Sequence, residues 1–275
     1  KGRFILTVFE KRVNAADLPF FMGMMDHLAM KGFPAPLPVK ARDGEALRTI
    51  KSKPAVIITF LSGMSPRKPS PAQCRAMGEG LARFHAALAD YPETRPNDLS
   101  LSAWAPMFAG READAAALAP ELDKQISADL DALSELWPSG LPAGAIHADL
   151  FTDNAFFLGD DLTGVIDFYF ACTDALAYDL AVCLNDWCFE ARGEFNATKG
   201  RALIAGYQSV RPLSGAERDA LPILARGAAM RFFLTRLIDW AETPADALVR
   251  PKNPLDYAER LGFHRRASGF ADYGG

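Results

Sequence analysis

One stretch in the middle of the chain decides the fold: His147-Ala148-Asp149-Leu150-Phe151-Thr152-Asp153-Asn154, which has the form H-x-D-L-x-x-x-N. Residues 155–158 and 162–166, which follow it, are rich in apolar side chains and are separated by Gly159-Asp160-Asp161. This pattern predicts two short strands joined by a turn. A hairpin here would turn the chain back, so that the next polar residue, Asp167, lies beside Asn154.

The residue types at this spacing suit transfer of a phosphoryl group. Such a transfer needs an acceptor oxygen in line with the phosphorus, and divalent cations that offset the charge on the phosphate oxygens. Asp149 is the candidate catalytic residue, which would orient the acceptor hydroxyl and take its proton. Asn154 and Asp167 are the candidate Mg²⁺ ligands, because Mg²⁺ prefers oxygen ligands and keeps several waters.

An H-x-D pair alone could be a metal-hydrolase ligand pair or a polar turn. The apolar run that ends in Asp167-Phe168 is also weak by itself. Joined at this spacing, the two segments match the catalytic loop and metal-binding Asp-Phe pair of protein kinases. They therefore favour a kinase-like site.

The segments on either side predict an α+β, two-lobed, protein-kinase-like fold. Residues 2–10 and 55–60 read as strands, Asp43-Gly44 as a hairpin turn and residues 15–30 as a helix capped by Asn14. The proline-rich run of residues 65–71 follows. We predict a small antiparallel-sheet nucleotide-binding lobe with linker over residues 1–63. Residues 64–275 are predicted to form a larger helical lobe, with helices near 72–91, 120–136, 174–190, 197–208, 215–240 and 254–264.

Composition excludes several classes of protein. The 275 residues are 49% hydrophobic and 23% charged, as in an ordinary folded domain. Thirty basic and 34 acidic residues give a net charge of −4, which argues against general binding to nucleic acid. The sequence shows no apolar run long enough to span a membrane. The four cysteines form no C-x-x-C pair, and free thiols suggest a reducing cytoplasm.

The catalytic stretch resembles the H-G-D-L-x-x-x-N signature of aminoglycoside phosphotransferase-like and choline-kinase-like enzymes. Residues 166–181, Asn185-Asp186-Trp187-Cys188 and the flanking residues 6–13 and 231–240 are similar to the bacterial homoserine kinase branch of that superfamily. The resemblance covers most of the chain. It implies transfer of the γ-phosphate of ATP, with Mg²⁺, to the side-chain hydroxyl of L-homoserine, giving O-phosphohomoserine for threonine biosynthesis.

The resemblance also implies where the nucleotide is held. Backbone groups of the linker near Phe60 and Leu61 would bind the adenine. The superfamily's strand lysine, which steadies the phosphates, has Thr7 at its matching place, and Lys11 on the same strand face is a candidate substitute. Because the chain opens at Lys1 directly on a strand, we expect the N-terminal lobe to be truncated. The hairpin that covers the phosphates in this superfamily would precede Lys1.

Three further positions are interpreted through the resemblance. The usual glycine of the signature is replaced by Ala148, a small change that should still fit a tight loop. His147 is expected to support the loop rather than act as a base, and Asp179 is expected to brace it. His85, on an amphipathic helical stretch, is interpreted as a packing residue.

A homoserine kinase must also bind an α-carboxylate and an α-ammonium group. Arg231 and Arg236 are the candidate substrate residues for the carboxylate, because a guanidinium matches its planar geometry. Asp153, Asp186 and Asp239 are candidates for the ammonium. These assignments rest on the chemistry of the implied substrate.

Two other functions remain open from the sequence. The acceptor could be another amino alcohol, such as choline or ethanolamine, or an aminoglycoside. Alternatively, the chain could be a non-catalytic nucleotide-binding protein of the same fold, a reading favoured only by the missing strand lysine. We expect a cytoplasmic monomer or homodimer that acts on a small molecule, with no nucleic-acid or membrane partner.

Overall fold

The computed structural model describes residues 2–9, 13–191, 193–244 and 246–275. The candidate phosphate-binding residue Lys11 lies outside these described residues. Within them the fold is α+β, with a small antiparallel sheet followed by a larger helical region, as the sequence predicts. No helix in these ranges is long and apolar enough to cross a membrane.

The first sheet has three antiparallel strands, β1 (Phe4–Val8), β2 (Arg48–Ile50) and β3 (Lys53–Thr59), in the order β1-β3-β2. The hairpin between β2 and β3 turns at Lys51-Ser52, and both residues have positive φ. The sequence predicted a hairpin turn at Asp43-Gly44. The chain turns there, with the Ala41 amide donating to the Glu45 carbonyl at 3.0 Å, but the turn joins no two assigned strands. The β2–β3 turn was missed because two-residue turns usually show Gly or Asn, and Lys-Ser gives no such signal.

Between β1 and β2 the chain forms the helix α1 (Leu18–Met30). A short 3₁₀ turn precedes it, and the Asn14 side chain accepts a hydrogen bond from the Ala16 amide at 3.1 Å, so the predicted cap is confirmed. The Tyr91 hydroxyl donates to the Phe20 carbonyl at 2.7 Å, which attaches α1 to the helical region.

The linker from the first sheet runs against the hairpin of β5 (Ala155–Leu158) and β6 (Asp161–Val165). Met64 and Phe157 exchange two backbone hydrogen bonds of 3.0 Å, and the Thr163 hydroxyl donates to the Ser62 carbonyl at 2.7 Å. Gly63 has φ +139°, and a Cβ there would lie 2.5 Å from Thr163 Oγ1. The linker therefore needs glycine at this place. A lobe boundary between residues 63 and 64 stays a prediction.

The helical region contains eight of the α-helices among the described residues. They are α2 (Pro71–Ala87), α3 (Leu101–Phe108), α4 (Glu112–Leu118), α5 (Leu122–Leu136), α6 (Leu176–Trp187), α7 (Ala197–Gln208), α8 (Gly215–Glu242) and α9 (Leu255–Arg266). Six were predicted from the sequence. The two missed helices, α3 and α4, span only eight and seven residues, too few for a clear helical period.

Two features of this region place the catalytic stretch. Strand β4 (Ala143–Ile146) pairs antiparallel with β7 (Cys172–Ala175), so the chain enters and leaves the site side by side. Helices α2 and α7 pack with backbones in contact: a Cβ on Gly78 would overlap the Leu203 carbonyl oxygen, and one on Gly206 would overlap that of Arg75. The site is thus built on closely packed helices.

Candidate active site

The catalytic bend begins where β4 ends. Ala148 has φ +62°, in the left-handed region that favours glycine, which explains why the related signature has glycine there. The amides of His147 and Ala148 donate to the two carboxylate oxygens of Asp179, at 2.7 and 2.8 Å. Asp179 on α6 therefore fixes the backbone of the bend.

A buried hydrogen-bond chain supports Asp179 from behind. The His85 Nε2 lies 3.1 Å from Asp179 Oδ2, and His85 Nδ1 lies 2.9 Å from the Tyr207 hydroxyl. Burial raises the pKa of Asp179, but the hydrogen bond and charge of His85 and the contacts of His147 outweigh it and hold that pKa below its usual value. His85 is therefore more than the packing residue that the sequence suggested: it links α2 and α7 to the bend.

His147 is fully buried below the bend. Its Nε2 donates to the Ile166 carbonyl at 3.0 Å, and its Nδ1 accepts from the Asp149 amide at 3.3 Å. Burial lowers the pKa of His147, so the imidazole stays neutral. Both ring nitrogens are engaged with backbone, which leaves neither for the acceptor.

Asp149 and Asn154 lie together at the end of the bend. The Asn154 Nδ2 donates to the Asp149 carbonyl at 2.8 Å and to its Oδ2 at 3.3 Å. Burial raises the pKa of Asp149 to about 7; Arg231 opposes the shift, and the carboxylates of Asp167 and Asp153 add to it. A carboxylate with this pKa suits proton acceptance near neutral pH.

Asp167 is brought to the same bend by the hairpin. The Ile166 amide donates to the Asn154 carbonyl at 3.0 Å, and Asp167 follows with φ +66°. Asp167 is exposed overall, but the protein displaces water from one side of its carboxylate and so raises the pKa of Asp167, which the nearby His147 opposes. Because the Asn154 nitrogen is engaged with Asp149, its amide oxygen is left to face a ligand.

Asp167 also lines a cavity of about 320 Å³ between the first sheet and the β5–β6 hairpin. The lining residues come from the first sheet and linker, from α1 and the segment after it, and from the hairpin and its exit: Ile5, Thr7, Met25, Pro36, Ile58, Thr59, Phe60, Leu61, Phe156, Ile166, Asp167, Phe168 and Tyr169. Mostly apolar walls with a few polar groups are typical of a small-molecule site. The structure thus brings Phe60, Leu61 and Thr7 together with Asp167.

The amide oxygen of Asn154 and the carboxylate of Asp167 fit Mg²⁺, which prefers oxygen ligands and is usually bound by one or two protein groups together with phosphate oxygens and water. In residues 2–9, 13–191, 193–244 and 246–275 no group of three His, Cys, Asp or Glu is placed to hold a metal ion. A donor set of one amide and one carboxylate therefore suits a cation whose remaining ligands come from a nucleotide and water.

The predicted substrate arginines are both engaged within the protein. Arg231 on α8 is 2% exposed and donates through Nη1 to the Ala148 carbonyl, while its Nη2 lies 3.9 Å from Asp149 Oδ1. Arg236 donates through Nη1 to the Asn253 carbonyl at 3.2 Å and to Asp256 at 3.0 Å. Arg231 clamps the bend, and Arg236 holds the segment between α8 and α9.

The predicted substrate aspartates have different surroundings. The Asp186 carboxylate accepts from the Thr152 amide at 2.7 Å. Asp153 is solvent-exposed and pairs with Lys252 at 3.2 Å. The backbone carbonyl of Asp239 accepts from the Thr243 amide near the end of α8. Lys252 is a residue the sequence analysis missed, because no local motif marks it and only the fold brings it to residue 153.

A small antiparallel sheet, a linker and a helical region, with Asp149, Asn154 and Asp167 around one bend, define a kinase-like phosphotransferase. The chain belongs to the phosphotransferase enzyme family, whose model matches residues 1–213. It is 60% identical to a homoserine kinase of Hyphomonas neptunium, covering 100% of this chain and 86% of the relative. It is 58% identical to one of Methylobacterium nodulans, covering 99% and 85%.

The fold is also similar to solved structures. An amicoumacin kinase in complex with AMP-PNP, Ca²⁺ and Ami superposes with a TM-score of 0.68 at 16% identity. The match covers 96% of this chain and 81% of that chain. At this identity the likeness shows the kinase-like fold, which the sequence predicted.

Proposed function

We propose that this enzyme transfers the γ-phosphoryl group of ATP to the side-chain hydroxyl of L-homoserine, a step of threonine biosynthesis. The observation that carries the choice of acceptor is the 60% identity, over the whole chain, to a relative named homoserine kinase. The reaction type is supported independently by the bend that joins Asp149, Asn154 and the exit of the β5–β6 hairpin.

Asp149 is the proposed catalytic residue. Its carboxylate would accept a hydrogen bond from the homoserine hydroxyl. It would take the hydroxyl proton as the homoserine oxygen bonds to the γ-phosphorus of ATP and the bond from that phosphorus to the leaving ADP breaks. Two contacts fix its position, from Asn154 Nδ2 to its carbonyl and from Arg231 to the preceding carbonyl. With a pKa raised by burial to about 7, it is a better proton acceptor than an ordinary aspartate.

The remaining roles follow from position. Asn154 and Asp167 would hold Mg²⁺, which when bound offsets negative charge on the phosphate oxygens. Backbone groups at Phe60 and Leu61 would bind the adenine in the 320 Å³ cavity. Thr7 lines that cavity at the position of the usual strand lysine, and it would face the phosphates as a neutral hydroxyl.

An ADP-release assay over a panel of acceptors tests this proposal. With ATP and Mg²⁺, we expect kcat/KM for L-homoserine to exceed that for choline, ethanolamine and an aminoglycoside by at least about 100-fold. Preference for another member of the panel would reassign the acceptor. ATP binding without release of ADP for any acceptor would instead support a non-catalytic nucleotide-binding protein.

The setting of the reaction is also a proposal. All four cysteines are buried free thiols, which suits the reducing cytoplasm. We propose a cytoplasmic enzyme that is a monomer or homodimer, which light scattering during gel filtration would distinguish.

A further inference from the structure

An exposed ion pair lies beside the catalytic bend. Lys252, from the segment between α8 and α9, places its Nζ 3.2 Å from Asp153 Oδ2 and 5.5 Å from the centre of the Phe151 ring. The side chains of Lys252 and Asp153 are 59% and 62% exposed. The pair is therefore open to a small molecule that reaches the bend.

The two arginines predicted for the acceptor carboxylate have other roles. Arg231 is buried and bound to the Ala148 carbonyl, with its guanidinium 4.4 Å from the Phe232 ring. Arg236 is 12% exposed and bonded to Asn253 and Asp256. Lys252, by contrast, presents its charge to solvent next to the bend.

Lys252 is held in place by its neighbours in sequence. Arg236 bonds the carbonyl of Asn253, the next residue, and the Asn253 side chain accepts from the Leu255 amide at 3.0 Å. Prolines at 251 and 254 restrict the backbone on both sides. The lysine thus extends from a fixed segment, and Arg236 contributes to the site by anchoring that segment.

Lys252 lies beside the turn that carries the reacting group. Its partner Asp153 stands between Asp149 and Asn154, where the Phe151 amide donates to the Asp149 carbonyl at 2.8 Å and the Asn154 amide donates to the Phe151 carbonyl at 3.0 Å. These short backbone contacts keep Asp153, and with it the ammonium of Lys252, on the same compact turn as the Asp149 carboxylate.

We propose that Lys252 binds the α-carboxylate of the acceptor and that Asp153 binds its α-ammonium, so that the pair selects an amino acid over a simple amino alcohol. In an amino acid zwitterion the negative carboxylate and the positive ammonium are on the same carbon, so they can face Lys252 and Asp153 together. An exposed ion pair contributes little by itself, so exchanging it for two contacts with substrate costs little. This inference rests on the proposed function.

The test compares two acceptors, L-homoserine and 3-amino-1-propanol, which keeps the hydroxyl, chain and amine but lacks the carboxylate. For Lys252→Gln we expect the ratio of kcat/KM for L-homoserine to that for 3-amino-1-propanol to fall about 10- to 100-fold, mainly through KM for L-homoserine. Lys252→Arg should keep most of the ratio. Asp153→Asn should raise KM for both acceptors.

The matched control is Lys124→Gln, because Lys124 on α5 is also exposed, at 70%, and pairs with Glu121 at 2.7 Å. It should leave the ratio unchanged. If Lys252→Gln slows both acceptors equally, Lys252 has only a structural role and the inference is wrong. If the unmodified enzyme phosphorylates neither acceptor, the proposed function itself fails, whatever the variants show.

Discussion

At the scale of single residues, burial in the catalytic bend shifts the pKa values of two neighbouring groups, His147 and Asp149, in opposite directions. His147 is buried and neutral with both ring nitrogens bonded to backbone, while Asp149 has a raised pKa and a side chain that is 16% exposed. The residue that resembles a general base from sequence is therefore a support, and the carboxylate two residues later is the proposed acceptor of the proton.

Replacing Asp149 tests this assignment. Asp149→Asn keeps the shape of the side chain but cannot take a proton, so we expect kcat to fall about 10²- to 10⁴-fold with ATP affinity changed little. Asp131→Asn, on an exposed position of α5, is the control and should keep full activity. A fully active Asp149→Asn enzyme would contradict the proposed role. Isothermal titration with ATP and the ADP-release assay give the two readouts.

Ala148 allows a test of the bend itself. An alanine at φ +62° is strained by about 1–2 kcal/mol, and a β-branched side chain there is strained further. Ala148→Val should therefore lower the free energy of unfolding by more than about 2 kcal/mol. Ala148→Gly should change it by less than about 1 kcal/mol, because relief of strain offsets the lost methyl and the added chain entropy. Urea denaturation measures both, and equal stability of the two variants would count against a strained bend.

The sequence predicted the proposed core of the site because Asp149, Asn154 and Asp167 lie in one local motif. Lys252 and His85 were missed or underestimated for the opposite reason. Each reaches the bend from a distant element, Lys252 from the segment after α8 and His85 from α2. A contact between residues so far apart in sequence depends on how helices pack, which local patterns do not show.

At the scale of elements, the helices with clear periodicity were predicted, and the failures have local causes. Helices α3 and α4 are short, so their periodicity is weak. The β2–β3 turn uses Lys51-Ser52, two exposed residues of types that seldom adopt positive φ. Neither place carries the local pattern on which prediction from sequence depends.

The close contact of α2 with α7 predicts that a glycine-to-alanine substitution in a helix lowers the free energy of unfolding, the opposite of the usual effect. Alanine normally stabilises a helix by about 1 kcal/mol relative to glycine. At Gly78 a Cβ would overlap the backbone oxygen of Leu203, which no side-chain rotation can relieve, so Gly78→Ala should cost about 2 kcal/mol or more.

The control for this prediction is Gly262→Ala on α9. Its Cβ would meet nothing nearer than Arg266 Nη1 at 3.7 Å, so it should raise the unfolding free energy by up to about 1 kcal/mol. Thermal and urea unfolding of both variants give the comparison. A stabilising Gly78→Ala would mean that α2 and α7 are further apart than the structure shows.

At the scale of the whole molecule, a buried histidine joins the C-terminal elements. His264 on α9 contacts Asn185 Oδ1 on α6 at 3.0 Å and the Tyr273 hydroxyl at 2.8 Å. The Asn185 nitrogen donates to the carbonyls of Ala181 and Ala225, so its oxygen faces the ring. Burial, together with Arg260 and Arg226, lowers the pKa of His264 to about 3.

This lowered pKa makes stability depend on pH. Between pH 6.5 and about 3 the unfolded chain binds a proton at His264 that the folded protein does not. The contribution of neutral His264 to the free energy of unfolding is therefore complete above pH 6.5 and is lost as the pH falls. At pH 5 the loss relative to pH 7 is about 2 kcal/mol. His264→Gln should be less stable at pH 7 but lose less on acidification. Urea unfolding at pH 7 and pH 5 measures these free energies. If the unmodified protein and His264→Gln lost the same stability on acidification, the assignment to His264 would be wrong.

The linker connects the first sheet to the β5–β6 hairpin through backbone hydrogen bonds on both sides. The Phe60 amide is bonded to the Arg3 carbonyl beside the first sheet, whereas Ser62 and Met64 are bonded to the β5–β6 hairpin. Leu61 lies between the two ladders, and its side chain would contact any Cβ placed on Gly164. The segment after α1 adds a second link, because the Pro34 carbonyl accepts from the Val165 amide of β6 at 2.9 Å. A nucleotide base seated against Leu61 would lie where the first sheet and the β5–β6 hairpin come together, and its binding would tie them at a further point.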